Sequence, residues 1–156
     1  MTSSESTLII DRLIAAPPSA VWDAWSDPAK LEKWWIPAPI ACRVITLDLR
    51  SGGGFETQMR EGSGDFQPHI DGCFLDVEPE RRLVFTTALR AGWQPVDPWL
   101  ALTAILTFEA RDDGTLYSAR VLHRSPEDSR KHEEMGFHDG WGTVLGQLAA
   151  LLEDGR

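Results

Sequence analysis

Basic charge is scarce in this sequence: 15 Lys and Arg stand against 24 Asp and Glu, a formal net charge of −9 at pH 7. So acidic a chain offers no basic face to a phosphate backbone, which argues against nucleic-acid binding, and it is not drawn to anionic membrane surfaces. Cysteine is scarcer still. Cys42 and Cys73 stand alone, outside any Cys-x-x-Cys pair, so a redox motif and a cysteine metal site are not expected, and both read as small core residues. Long apolar runs are also missing. No stretch approaches the roughly 20 residues that span a bilayer. The opening MTSSESTLII has neither the basic segment nor the apolar core of a signal peptide, so the expected location is the cytoplasm. There is no nucleophile elbow, phosphate loop or dinucleotide fingerprint. The four His show neither His-x-x-x-His nor His-Glu-x-x-His spacing, and no metal or cofactor is expected.

What is present is the material of one domain, expected to span residues 1–156: 42% hydrophobic and 25% charged residues, ordinary for a globular chain. Tryptophan is the exception, with 7 in the chain. Residues 7–15 (TLIIDRLIA) read as a strand, ended by Ala16-Pro17-Pro18. Two short helices follow, over 19–25 with Val21, Trp22 and Trp25 inward, and over 28–35 with Asp27 as cap and Pro28 in the first turn. Ile36-Pro37-Ala38-Pro39 stops the second.

From residue 41 the period changes to two, predicting strands over 42–50, 55–60, 66–77, 82–89, 99–109 and 115–124. Pro68 and Gly72 suggest an edge or a bulge in the third of these, and Asp112-Asp113-Gly114 is a hairpin signal. Neighbouring strands on short turns imply an antiparallel sheet, hence an α+β fold.

The chain closes on its strongest helical signal, over 125–153. Ser125 is placed to cap it, with Asp128 completing a capping box. Phe137, Trp141, Leu145, Leu148 and Leu152 share one face. Gly136, Gly140, Gly142 and Gly146 each weaken such a helix by about 1 kcal/mol relative to Ala. Their presence predicts a bend or loose packing near Gly136–Gly142, beside a pocket.

Several segments together resemble START-like (SRPBCC) domains: Val21-Trp22-Asp23-Ala24-Trp25, Asp27-Pro28, Leu31 through Trp34-Trp35-Ile36-Pro37, Asp71-Gly72 through Pro79, Arg82-Leu83-Val84-Phe85-Thr86, and Gly140-Trp141 through Leu145, Leu148 and Leu152. The branch they most resemble is the activator of the heat-shock-protein-90 ATPase, in its short bacterial form. The resemblance implies a helix-grip fold, in which a curved antiparallel sheet of about seven strands wraps a long C-terminal helix, with two short helices between strands 1 and 2. It implies an apolar cavity between sheet and helix that binds a small hydrophobic molecule such as a lipid or polyketide. A polyketide cyclase or aromatase using the same cavity, and a co-chaperone-like module with a chaperone-type protein partner, are the alternatives.

Alternation puts Leu102, Ala104, Leu106 and Phe108 on the concave face, together with Tyr117, Ala119, Val121 and His123. Tyr117 and His123 then either hydrogen-bond a ligand or act as acid and base, or are buried groups satisfied by backbone or water. His69 falls near the opening. Trp34-Trp35 is expected to split, one ring in the core and one at the cavity rim, and Trp93 is a further rim candidate. A Glu134–His138 pair reads as a solvated helix contact. The candidate ligand-binding set is Trp35, Phe66, His69, Phe85, Trp99, Leu102, Tyr117, His123, Phe137 and Trp141.

Overall fold

A computed structural model describes residues 4–154 of the chain. A single 3-10 turn, Ser4–Ser6, leads into β1 (Thr7–Ile14). The proline pair then opens α1 (Pro18–Ser26), and Asp27 starts α2 (Pro28–Trp34) by accepting a hydrogen bond from the Ala29 N–H at 3.0 Å. Strands β2 (Ala41–Leu47), β3 (Gly54–Arg60), β4 (Gln67–Glu78) and β5 (Arg82–Thr86) follow as a meander. A two-residue ribbon, β6 (Leu89–Arg90) and β7 (Gln94–Pro95), interrupts it before the hairpin of β8 (Leu102–Arg111) and β9 (Gly114–His123). The chain ends in α3 (Pro126–Glu134) and α4 (Phe137–Asp154).

Seven strands form one antiparallel sheet in the order β1-β9-β8-β5-β4-β3-β2. β4 and β3 shift register between Pro68 and Ile70, where proline has no N–H to give the ladder. A second shift, in β2 between Val44 and Thr46, frees the Val44 N–H for the Glu32 carboxylate of α2 at 2.8 Å. The inward side chains of β8 and β9 fall where alternation puts them: Ala104, Leu106, Phe108, Tyr117, Ala119 and Val121 are all buried. The strand expected over 99–109 begins only at Leu102, because the Pro98-Trp99-Leu100 segment is tied back through the Thr87 hydroxyl instead.

The core lies between the concave sheet face and the helices. Trp25, Trp34, Phe55, Phe74, Phe85 and Leu148 are buried there. Phe55 stacks on Phe74 with centroids 5.1 Å apart and meets Phe85 edge-on at the same separation. Trp22, expected inward, is only half-buried, at the edge of Phe108. Gln147 fastens α4 to the proline-rich segment: its Oε1 accepts from Ala38 N–H, and its Nε2 donates to the carbonyls of Trp34 and Ile36.

The expected closing helix is two helices. Ser125 Oγ caps α3 by accepting from Asp128 N–H at 3.1 Å, while the Asp128 carboxylate turns to Arg124 rather than back to the cap. α3 ends at Met135, and Gly136 at φ +99° turns the chain into α4. Gly140, Gly142 and Gly146 lie inside α4, so the single break is at Gly136. It also removes the spacing that would join Glu134 to His138, and His138 lies 3.4 Å from Glu133 instead.

Candidate ligand cavity

α4 covers the sheet unevenly. Its C-terminal half, through Leu145, Leu148 and Ala149, is buried. Over its N-terminal half the sheet and helix part, leaving a cavity of about 650 Å³ open on one side. Phe137, Gly140, Trp141 and Val144 of α4 form the roof; Phe85, Leu102, Ile70 and Met59 come from the sheet; Trp35 closes the inner end. The segment after β7, Val96 to Leu100, and the α3–α4 joint at Met135-Gly136 make the mouth. Trp99 stands 69% exposed at that mouth with the Lys131 ammonium 4.5 Å over its ring.

Of the ten expected site residues, seven line this space: Trp35, His69, Phe85, Trp99, Leu102, Phe137 and Trp141. Three do not. Phe66 is held outside, its ring beneath the guanidinium groups of Arg43 at 3.9 Å and Arg60 at 4.6 Å. Tyr117 faces inward but under α1, where its hydroxyl oxygen accepts from Trp25 Nε1–H at 3.1 Å. Burial raises its pKa above the ordinary tyrosine value, only partly offset by that bond, so it is no base at neutral pH. His123 spends both ring nitrogens, Nδ1 on the Ser6 carbonyl at 3.0 Å and Nε2 on His132 Nδ1 at 2.8 Å. The Trp34-Trp35 pair splits as expected: Trp34 is sealed in the core and donates to the Ala24 carbonyl, whereas Trp35 reaches the cavity wall. Trp93 is not a rim residue. It lies against Gly52, where a Cβ would come within 2.6 Å of its ring.

His132 is the polar group that reading the sequence misses. It lines the cavity beside Phe137, with ring centroids 5.1 Å apart. A signal for it exists: across 127–134 every residue is charged except Ser129 and His132, three apart and therefore on one helix face. Ser129 is buried. Desolvation, with a smaller contribution from His123, lowers the His132 pKa to about 4. His69 is lowered to a similar value, also by desolvation, although its ring keeps an open side; crowding by the wall sets the direction. Its Nδ1 shares a hydrogen bond of 2.9 Å with Thr57 Oγ1.

Arg90, Asp71 and Thr87 of the wall have partners. Arg90 pairs with Asp71 at 3.0 Å, and Thr87 Oγ1 donates to the Leu100 carbonyl. Trp35 Nε1 is buried without a hydrogen bond. Cys42 is no nucleophile, since burial and nearby Glu32 push its thiol up to about 12. Among the described residues no group of three or more His, Cys, Asp or Glu converges as a metal site, and no helix is long and apolar enough to cross a membrane.

A seven-stranded antiparallel sheet gripping a C-terminal helix, with two short helices after its first strand and an apolar cavity in the grip, defines a START-like, helix-grip domain. Within that class the chain belongs to the Activator of Hsp90 ATPase homolog 1-like family, whose model matches residues 15–153. It is 38% identical to protein NE0264 from Nitrosomonas europaea, over 100% of this chain and 99% of that one, with a TM-score of 0.91. Protein Ms6760 from Mycobacterium smegmatis is 27% identical over 96% and 91%, with a TM-score of 0.80. DynU16, a protein of the dynemicin biosynthetic locus, shares the fold at 21% identity and a TM-score of 0.66, over 97% of this chain and 48% of that one. No curated protein matches the chain.

Proposed function

We propose that this protein binds a small molecule with a largely apolar body between the sheet and the first half of α4. The observation that carries this reading is an aromatic-walled space of about 650 Å³ between the sheet and α4, open on one side. The volume lies in the range of drug-sized ligand sites, roughly 300–1,000 Å³. Rings of Trp35, Phe85, Phe137 and Trp141 suit a flat aromatic or polyketide-like body as well as an acyl chain.

Catalysis by a Tyr117–His123 pair has no support: Tyr117 is engaged with Trp25 outside the cavity, and His123 is engaged at both nitrogens. The family's description brings a chaperone-type partner into view, for which the cavity supplies no argument. Mass spectrometry of the protein purified from its host should find an apolar molecule released on denaturation, and thermal-shift screening against fatty acids and aromatic polyketides should find stabilising compounds. An empty extract together with no shift across both panels would overturn the reading.

A further inference from the structure

We infer that the cavity recognises a hydrogen-bond donor, a hydroxyl or N–H carried on the apolar ligand, through Nε2 of His132, with His123 as the residue that positions its proton. The inference rests on the binding reading above and specifies its chemistry.

One chain of hydrogen bonds links Ser6, His123 and His132. The Ser6 carbonyl can only accept, so His123 Nδ1 at 3.0 Å must carry a hydrogen. Neutral His123 then has a bare Nε2, and the contact of 2.8 Å to His132 Nδ1 requires the hydrogen on His132 Nδ1. The opposite arrangement would set a lone pair of His123 against the carbonyl. Both ring nitrogens of His123 are thus engaged within the protein, and the side chain is buried. Neutral His132 is therefore left with a bare Nε2. That atom has no hydrogen-bond partner among the described residues and is not among the sealed atoms, and its ring lines the cavity.

Of the two cavity histidines, only His132 is fixed in this way. The partner of His69 is a hydroxyl, which donates or accepts, so His69 can present either tautomer. Arg90 is held by Asp71, and Asp97 lies 3.5 Å from Arg124. Trp35 Nε1 is sealed from any ligand. The apolar setting of His132 keeps its basicity low, which suits accepting a hydrogen bond and not abstracting a proton. The class of ligand is thus a phenol, enol, alcohol or N–H heterocycle with an apolar body.

Two measurements on the full chain test this. Nitrogen NMR of histidine-labelled protein at neutral pH should show His123 and His132 both protonated at Nδ1 and bare at Nε2; His132 protonated at Nε2 would overturn the inference. Tryptophan fluorescence titrations should then compare 2-naphthol with 2-methoxynaphthalene, which keeps the rings and donates nothing. The naphthol should bind about tenfold more tightly, the scale of one hydrogen bond. His132→Phe, which keeps a ring against Phe137, should abolish that preference, with its thermal melting curve checking that the protein folds. His123→Phe should weaken the preference and release the His132 tautomer, which a merely structural role would not do. Equal affinities for the two probes in the unmodified protein would sink the donor inference and leave the cavity reading standing. Binding of neither probe would count against both.

Discussion

The two halves of α4 lie over the same concave sheet, yet they end differently. In the closed part of the core these polar tips meet partners: Trp25 Nε1 finds Tyr117, Trp34 Nε1 finds the Ala24 carbonyl, and Gln147 meets three backbone groups. Under the N-terminal half, the same residue types leave atoms over, with His132 Nε2 unpartnered among the described residues, on a ring that lines the cavity, and Trp35 Nε1 buried without a partner. Core and site are built from the same aromatics. What separates them is whether the polar atoms are spent.

Substitutions in the closed half should cost stability and spare binding. Trp25→Ala removes a fully buried ring packed against Trp34, Trp35 and Phe55, and should cost about 3–5 kcal/mol in chemical denaturation. Next comes Tyr117→Phe, which strands the buried Trp25 N–H and should cost about 1–3 kcal/mol while leaving the affinity for any cavity ligand unchanged. A change in affinity with no loss of stability would move Tyr117 from core to site.

The open half should show itself through pH. His132 holds its proton less readily folded, at about 4, than at its ordinary 6.5. The unfolded chain therefore takes up a proton between those values that the folded chain refuses. Stability contributed this way is complete above about pH 6.5 and is lost as pH falls toward 4. His69 shifts in the same direction. The melting temperature should fall across that window, and His132→Phe should make the fall shallower. Asp76, lowered by its Arg82 hydrogen bond, acts only below its ordinary 3.8 and so outside the window. A slope identical in the His132→Phe protein would contradict this account.

The smallest effect is expected at the helix itself. A Cβ added at Gly140 meets nothing within 4 Å, so Gly140→Ala should stabilise α4 by up to about 1 kcal/mol in thermal or denaturant unfolding.

Much of this was legible before the structure. Period-two alternation placed the inward faces of β8 and β9 because an antiparallel strand with one buried side admits no other register. Two of the four closing glycines, Gly136 and Gly140, marked the open half, whereas Gly142 and Gly146 face Ile10 and Arg12 of β1. Three site residues misled for a shared reason. Phe66, Tyr117 and His123 are of the right type and near the right places, but their partners (two arginines, Trp25, and the Ser6 carbonyl with His132) are remote in sequence or join through tertiary contact. Alternation says which way a side chain points and nothing of what it meets. His132 is not legible in the same way, because on one continuous helix over 125–153 the apolar stripe runs through Phe137 and Trp141 and leaves His132 off it. The break at Gly136 is what brings both the α3 face and the α4 face to one mouth.

The central claim is that the gap under α4 is kept for a ligand, and Gly140→Leu tests it most directly. The added side chain enters open space on the cavity roof and replaces the weakest kind of helix residue short of proline. Titrating that protein and the unmodified one with 2-methoxynaphthalene, alongside their melting temperatures, should give a protein at least as stable whose affinity has fallen by more than about tenfold, on the scale of a blocked apolar subsite. Unchanged affinity in a folded Gly140→Leu protein would contradict the account.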